Sequence, residues 1–191
     1  MFAFKKKYFL LIESIKDINL RNIKKHDKFV IIYRNSKITE NINHLKKFRN
    51  SCRIKSVEFY VANNKLLSVL LKADGIYLSS SNNDLKSLFL KKSNFKVIGS
   101  AHNIKEISHK IKQGCNYILL SKLFMVDYDR NSPFLDIIKF NKYSNQAFKG
   151  LIPLGGIKNT NLNKLKNVNC VGFALLSEIK KKPAKIISRL F

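Results

Sequence analysis

Acidic residues are scarce: 12 Asp and Glu stand against 37 Lys and Arg in 191 residues, leaving a formal net charge of +25 at pH 7. Cysteine is also rare. Cys52, Cys115 and Cys170 are odd in number, widely spaced and never arranged as CxxC, a usage that fits a reducing cytoplasm and structural rather than reactive thiols. Long apolar runs are missing. The stretch around Leu66 to Leu71 is far below the roughly 18 residues needed to cross a bilayer, so a transmembrane protein is excluded and no membrane partner is expected. The opening MFAFKKKYFLLIESIKDI puts lysines before a short apolar run, but Glu13 and Asp17 follow and no small-residue cleavage site is present. It reads as a first strand and not as a signal peptide.

What is abundant is core material. At 45% hydrophobic and 11% aromatic, the chain does not have the composition of a disordered basic tail. One compact domain over residues 1–191 is expected. A charge of this size attracts polyanions and gives salt-sensitive, sequence-independent nucleic-acid binding by counterion release alone. The lysines are spread over nearly every segment, and Asn and Ile, which A/T-rich codons specify, are also plentiful. Compositional drift is the expected source of the charge and nucleic-acid binding the alternative; no base-reading motif accompanies the charge, so no specific nucleic-acid partner is expected.

Along the chain, short β-rich runs alternate with stretches of helical spacing. The strands read as Tyr8–Glu13, Lys28–Tyr33, Val57–Ala62, Gly75–Leu78, Lys96–Ser100, Tyr117–Leu120, Leu151–Leu154 and Cys170–Leu176. Helices are predicted over Asn19–Lys25, Ile42–Cys52, Lys65–Leu71, Asp84–Lys91, Ile104–Gln113, Leu135–Tyr143 and Asn161–Lys166, with a final basic helix through Arg189. Eight consecutive βα units fit a closed α/β barrel, a (β/α)8 TIM barrel, whereas doubly wound sheets usually stop at five or six strands. The chain is shorter than the usual ~200-residue minimum of that fold, so its helices must be short.

Barrels of this kind do chemistry at the C-terminal ends of their strands. The residues there are Arg34 and Lys37 after strand two, Asn63 and Asn64 after strand three, and Ser79, Ser80, Ser81 and Asp84 after strand four. Ser100 and His102 follow strand five, Ser121 and Lys122 strand six, Gly155 and Gly156 strand seven, and Ser177 strand eight. A glycine pair between strand and helix lets backbone N–H groups approach a phosphate, although tight turns also use glycine for steric reasons alone. Arg34 and Lys37 can clamp an anion, or mark nothing beyond a basic composition. His102 suits a helix cap or an acid–base role, and Asp84 an N-cap or a metal ligand.

With those residues in place, nearly the whole chain resembles the thiamine phosphate synthase/TenI family. Ala73-Asp74-Gly75-Ile76-Tyr77-Leu78 resembles the family's ADGVHLG, and Ser100-Ala101-His102 its S-x-H. Gly114-Cys115-Asn116-Tyr117 resembles GADY, Gly155-Gly156-Ile157 GGI, and Val171 to Ile179 DGVAVVSAI. The resemblance implies coupling of hydroxymethylpyrimidine diphosphate to a thiazole phosphate, with release of diphosphate and Mg²⁺ bridging the leaving group. It implies catalytic roles for Ser100, Lys122 and His102. Phosphorylated pyrimidine and thiazole partners would be held by Arg34, Lys37, Asn63, Gly155, Gly156 and Ser177. The metal would fall to Asn64 and Asp84, a degraded pair, since Asn64 replaces a charged ligand and weakens a hard-cation site. The loop after strand six departs most: of the family's Gly-Pro-x-Phe-x-Thr-x-Thr-Lys only Phe124 survives, and Lys122 stands where the thiazole tautomerase branch has a catalytic histidine. A tautomerase, or a barrel that binds a phosphorylated heterocycle without turnover, are the alternatives.

Overall fold

The computed structural model describes residues 7–23, 26–35, 40–85, 95–129, 131–181 and 187. Its strands are β1 (Lys7–Ile12), β2 (Phe29–Tyr33), β3 (Glu58–Ala62), β4 (Gly75–Leu78), β5 (Lys96–Ala101), β6 (Tyr117–Ser121), β7 (Leu151–Leu154) and β8 (Gly172–Leu175). They form one parallel sheet in the order β7-β6-β5-β4-β3-β2-β1-β8. Tyr8 of β1 lies between Phe29 of β2 and Phe173 of β8, so the last strand returns to the first. The sheet's two outer strands, β7 and β8, also meet. The result is a (β/α)8 barrel.

Strand alternation builds two separate cores, because successive side chains point to opposite faces of the sheet. Phe9, Leu11, Val30, Ile32, Tyr60, Tyr77, Ile98, Leu119, Ile152 and Ala174 fill the barrel interior. Their sequence neighbours, among them Leu10, Ile31, Phe59, Ile118 and Phe173, face outward and pack with helical residues such as Leu45, Ile107 and Phe140. At the N-terminal end, Glu58 lies two residues before the inward-facing Tyr60. It accepts from Lys7 at 2.8 Å, Lys96 at 3.2 Å and the Tyr60 hydroxyl at 2.8 Å.

The helices are α1 (Ile42–Ile54), α2 (Lys65–Leu70), α3 (Ile104–Lys112), α4 (Asp136–Gln146) and α5 (Ser177–Lys181). Asn41, Asn64 and Asn103 start the first three, each side-chain oxygen accepting a backbone N–H of the first turn, as asparagine N-caps do. Two predicted helices are 3₁₀ instead. The described part of Asn19–Lys25 holds a short turn at Leu20–Asn22, with others at Ile15–Asp17 before it and His26–Lys28 after it, because the caps of Ser14 and Asn19 restart the chain every few residues. The segment Leu162–Asn167 is also 3₁₀. The helix predicted over Asp84–Lys91 lies mostly outside the described residues, as does the end of the last one. Among the described residues, no helix is long and apolar enough to cross a membrane.

Candidate active site

The C-terminal strand ends surround a cavity of about 400 Å³, within the range of small-molecule sites. Arg34, Ser100, His102, Lys122, Gly155, Gly156 and Ser177 all line it. Tyr77 is a buried part of the cavity wall, and its hydroxyl is paired with the buried Ser100. Burial pushes that hydroxyl above its ordinary pKa, while the Ser100 hydrogen bond and the Arg34 charge pull it down without prevailing. His102 is exposed; its Nδ1 lies 2.9 Å from the Ser121 hydroxyl, and its backbone N–H donates to Glu106. Histidine and serine thus share one hydrogen bond at the mouth, with β5 and β6 setting their spacing.

Lys122 is already engaged. Its ammonium donates to Asp129 at 2.8 Å and to the Ser132 hydroxyl, and it sits 5.4 Å from the centre of the Tyr128 ring. Donation to a carboxylate beside an aromatic face holds the lysine side chain in a charge-assisted contact. The loop that supplies these partners, residues 122–135, is seated on β7: Leu123 N donates to Leu154 O and Phe124 N to Gly155 O. The glycine pair makes that seating feasible. Gly155 and Gly156 have φ of +92° and +68°, and a Cβ on Gly156 would stand 2.4 Å from Phe124 O and 2.5 Å from Met125 O. The glycines admit the neighbouring loop and also expose backbone to the cavity, so both readings of the pair hold at once. The segment after β7 is a loop leading to a 3₁₀ turn, so the expected helix start is missing there.

Asn63, Asn64 and Asp84 serve the scaffold and do not line the cavity. Asn63, at φ +55°, accepts from Ser79 N and Asn82 Nδ2 and donates to the Ser79 hydroxyl, tying the end of β3 to the loop after β4. Asn64 accepts from Leu67 N at the start of α2, and Asp84 is paired with Lys65 at 3.2 Å. No group of three or more His, Cys, Asp or Glu able to hold a metal exists among the described residues. A neutral oxygen spent on a helix cap and a carboxylate carrying an ammonium do not fit a magnesium site. Lys37 lies outside the described residues.

Several residues of the site escape inspection of the strand ends. Lys110 on α3 is fully buried, and its ammonium donates to Ser79 O at 2.7 Å, Asn82 O at 2.6 Å and Gln113 Oε1 at 2.9 Å. Burial lowers its pKa. Gln113 adds bonds to Asn82 O and Asp84 O, so α3 grips the loop that carries Ser79 into the cavity wall. The available signal was a lysine three residues after Ile107 on the inward stripe of α3. Lys158, Lys181 and Asp127 complete the rim; only Lys158, next to the GGI triplet, carries a local cue.

The profile of the family described as Thiamine monophosphate synthase matches residues 18–179. The chain is 30% identical over 187 residues to Thiamine-phosphate synthase of Prochlorococcus marinus subsp. pastoris, covering 93% of this chain and 51% of that protein. It is 28% identical over 173 residues to Thiamine-phosphate synthase of Prochlorococcus marinus strain AS9601, covering 88% of this chain and 48% of that one. The chain therefore spans about half the length of these curated relatives. Among solved structures, thiamine phosphate pyrophosphorylase from Pyrococcus furiosus superposes with a TM-score of 0.72 at 16% identity, covering 100% of this chain and 98% of the other. A 3-keto-L-gulonate-6-phosphate decarboxylase from Vibrio cholerae does so at 0.64 and 13%, covering 98% and 99%. Both likenesses concern the fold.

Proposed function

Since the chain belongs to the thiamine monophosphate synthase family, we propose that it couples hydroxymethylpyrimidine diphosphate to a thiazole phosphate, giving thiamine phosphate and diphosphate. One observation carries this reading. Arg34, Ser100, Gly155, Gly156 and Ser177, five of the residues that the resemblance assigns to the reaction, come from four separate strand ends and line one cavity. In the coupling a carbon–nitrogen bond forms as the carbon–oxygen bond to diphosphate breaks, and negative charge gathers on the leaving group. Arg34 and Lys122 supply fixed positive charge for it, which a partly enclosed cavity makes more effective than bulk water does. The backbone of Gly155, Gly156 and Ser177 binds the thiazole phosphate at the other end. His102 and Ser121 form a hydrogen-bonded pair at the cavity wall suited to orienting the pyrimidine.

A divalent cation would neutralise a leaving diphosphate when bound, but Asn64 and Asp84 are committed elsewhere. No step is assigned to it, and magnesium dependence is expected to be weak or absent. The same commitments favour a second reading, a barrel that binds a phosphorylated heterocycle without turning it over. The protein is one domain working in a reducing cytoplasm, a reading supported by three widely spaced cysteines, none arranged as CxxC. The test is incubation of the full chain with both heterocyclic phosphates, with Mg²⁺ or with chelator, and chromatography for thiamine phosphate. Product in both conditions is the expected result. Binding of the thiazole phosphate with no product would replace the synthase reading by the binding one.

A further inference from the structure

The chain has 12 acidic residues among 191, yet the loop after β6 spends two of them, Asp127 and Asp129, on cations of the cavity. Asp129 serves Lys122. Asp127 stands at the loop tip, where a Val126–Asp129 bridge closes a tight turn. Its Oδ1 accepts from the Lys158 ammonium and its Oδ2 lies 3.6 Å from that of Lys181. Both lysines line the cavity, and they arrive from different strand ends, Lys158 after β7 and Lys181 after β8. Two ammonium groups converging on one half-exposed carboxylate form a bidentate anion site that the chain itself fills.

We propose that Asp127 is an internal stand-in for a phosphoryl group, holding Lys158 and Lys181 in place at the cavity and yielding them to the phosphate of a ligand. This rests on the phosphate-binding reading above and extends it to two side-chain cations and a competing anion. The carboxylate keeps two like charges from repelling each other. It also sets a threshold, because a ligand must present an anion able to outbid one carboxylate, which favours a dianionic phosphate over a singly charged group. The Lys158 hydrogen bond, opposed by partial burial and aided by the charges of both lysines, holds the Asp127 carboxyl below its ordinary range. At neutral pH the competing anion and a phosphate are therefore both charged. Displacement is feasible because these ion pairs are exposed, and exposed pairs hold only weakly.

The test is calorimetric titration of the full chain with inorganic phosphate at constant ionic strength. Asp127→Asn should tighten phosphate binding by about tenfold, as expected from freeing two exposed ion pairs. Lys158→Gln and Lys181→Gln should each weaken it. Asp27→Asn, the same charge change on an exposed residue at the opposite end of the barrel, should leave it unaltered. Unchanged or weaker binding by Asp127→Asn overturns the proposal, as does equal tightening by Asp27→Asn; wild-type binding then leaves the phosphate reading intact. If neither the wild type nor Asp127→Asn binds phosphate, both readings fall. Circular dichroism melts confirm that each variant is folded.

Discussion

Asn64 is spent on the backbone of α2, and Lys65 beside it is spent on Asp84. Replacing Asn64 by Asp keeps a good N-cap, so stability should hold, yet Asp84, the other acid of the expected pair, is already neutralised by an ammonium. Titration of Asn64→Asp with magnesium chloride is expected to show no gain in affinity; clear tightening would mean that the ion pair yields and a metal site is latent. Asn64→Ala should cost about 1 kcal/mol in a urea melt, the usual loss for an N-cap. Cysteine follows the same logic of commitment. Burial pushes the Cys52 thiol up to about 12, the nearby Arg49 charge notwithstanding, and only a thiolate reacts readily. A thiol reagent should therefore label half-buried Cys170 first and Cys52 only on unfolding, as peptide mass mapping would record.

Two connections decide the shape of the cavity. The loop after β6 rests where Gly156 has no Cβ, and a valine there would meet two carbonyl oxygens at 2.4 and 2.5 Å in a left-handed backbone. Gly156→Val should displace the loop, lower stability by at least about 1–2 kcal/mol and abolish thiazole phosphate binding in calorimetry. Retention of full affinity would mean that neither the loop nor the glycine backbone touches the ligand. The loop after β4 hangs instead from α3 through Lys110 and Gln113. Lys110→Met leaves Ser79 O, Asn82 O and Gln113 Oε1 without that donor, which should cost about 1–3 kcal/mol. Hydrogen exchange should quicken over residues 79–84 while β7 stays protected.

The whole barrel is sensitive to acid through its floor. Partial burial would raise the Glu58 carboxyl, but the Lys7 and Tyr60 hydrogen bonds and the charges of Lys7 and Lys96 outweigh it and hold it below 4.5. A depressed folded pKa means that the unfolded chain takes up the proton first as pH falls. The Glu58 contribution is therefore complete above about 4.5 and disappears as pH drops through the lower folded value. Urea melts from about pH 6 to about pH 3 should show wild type and Glu58→Gln differing at the upper end and converging at the lower. A gap that persists in acid would assign the network's contribution to packing instead of charge.

The alternation of short apolar, β-rich runs with stretches of helical spacing determined the eight strands, and with them the barrel and which residues stand at its mouth, because such runs depend only on neighbours along the chain. Gly75–Leu78 and Leu151–Leu154 were legible to the residue for that reason. The uses of those residues depended on partners far away in sequence. Asn63 meets Ser79 across 16 positions, Lys65 meets Asp84 across 19, and Lys110 meets Ser79 and Lys158 meets Asp127 across 31. No periodicity reports such pairs. Only the closed sheet, by bringing successive strand ends to one rim, decided that Asn63 ties the end of β3 to the loop after β4, that a buried lysine holds a loop, and that an aspartate of the β6 loop lies on two lysines of the cavity.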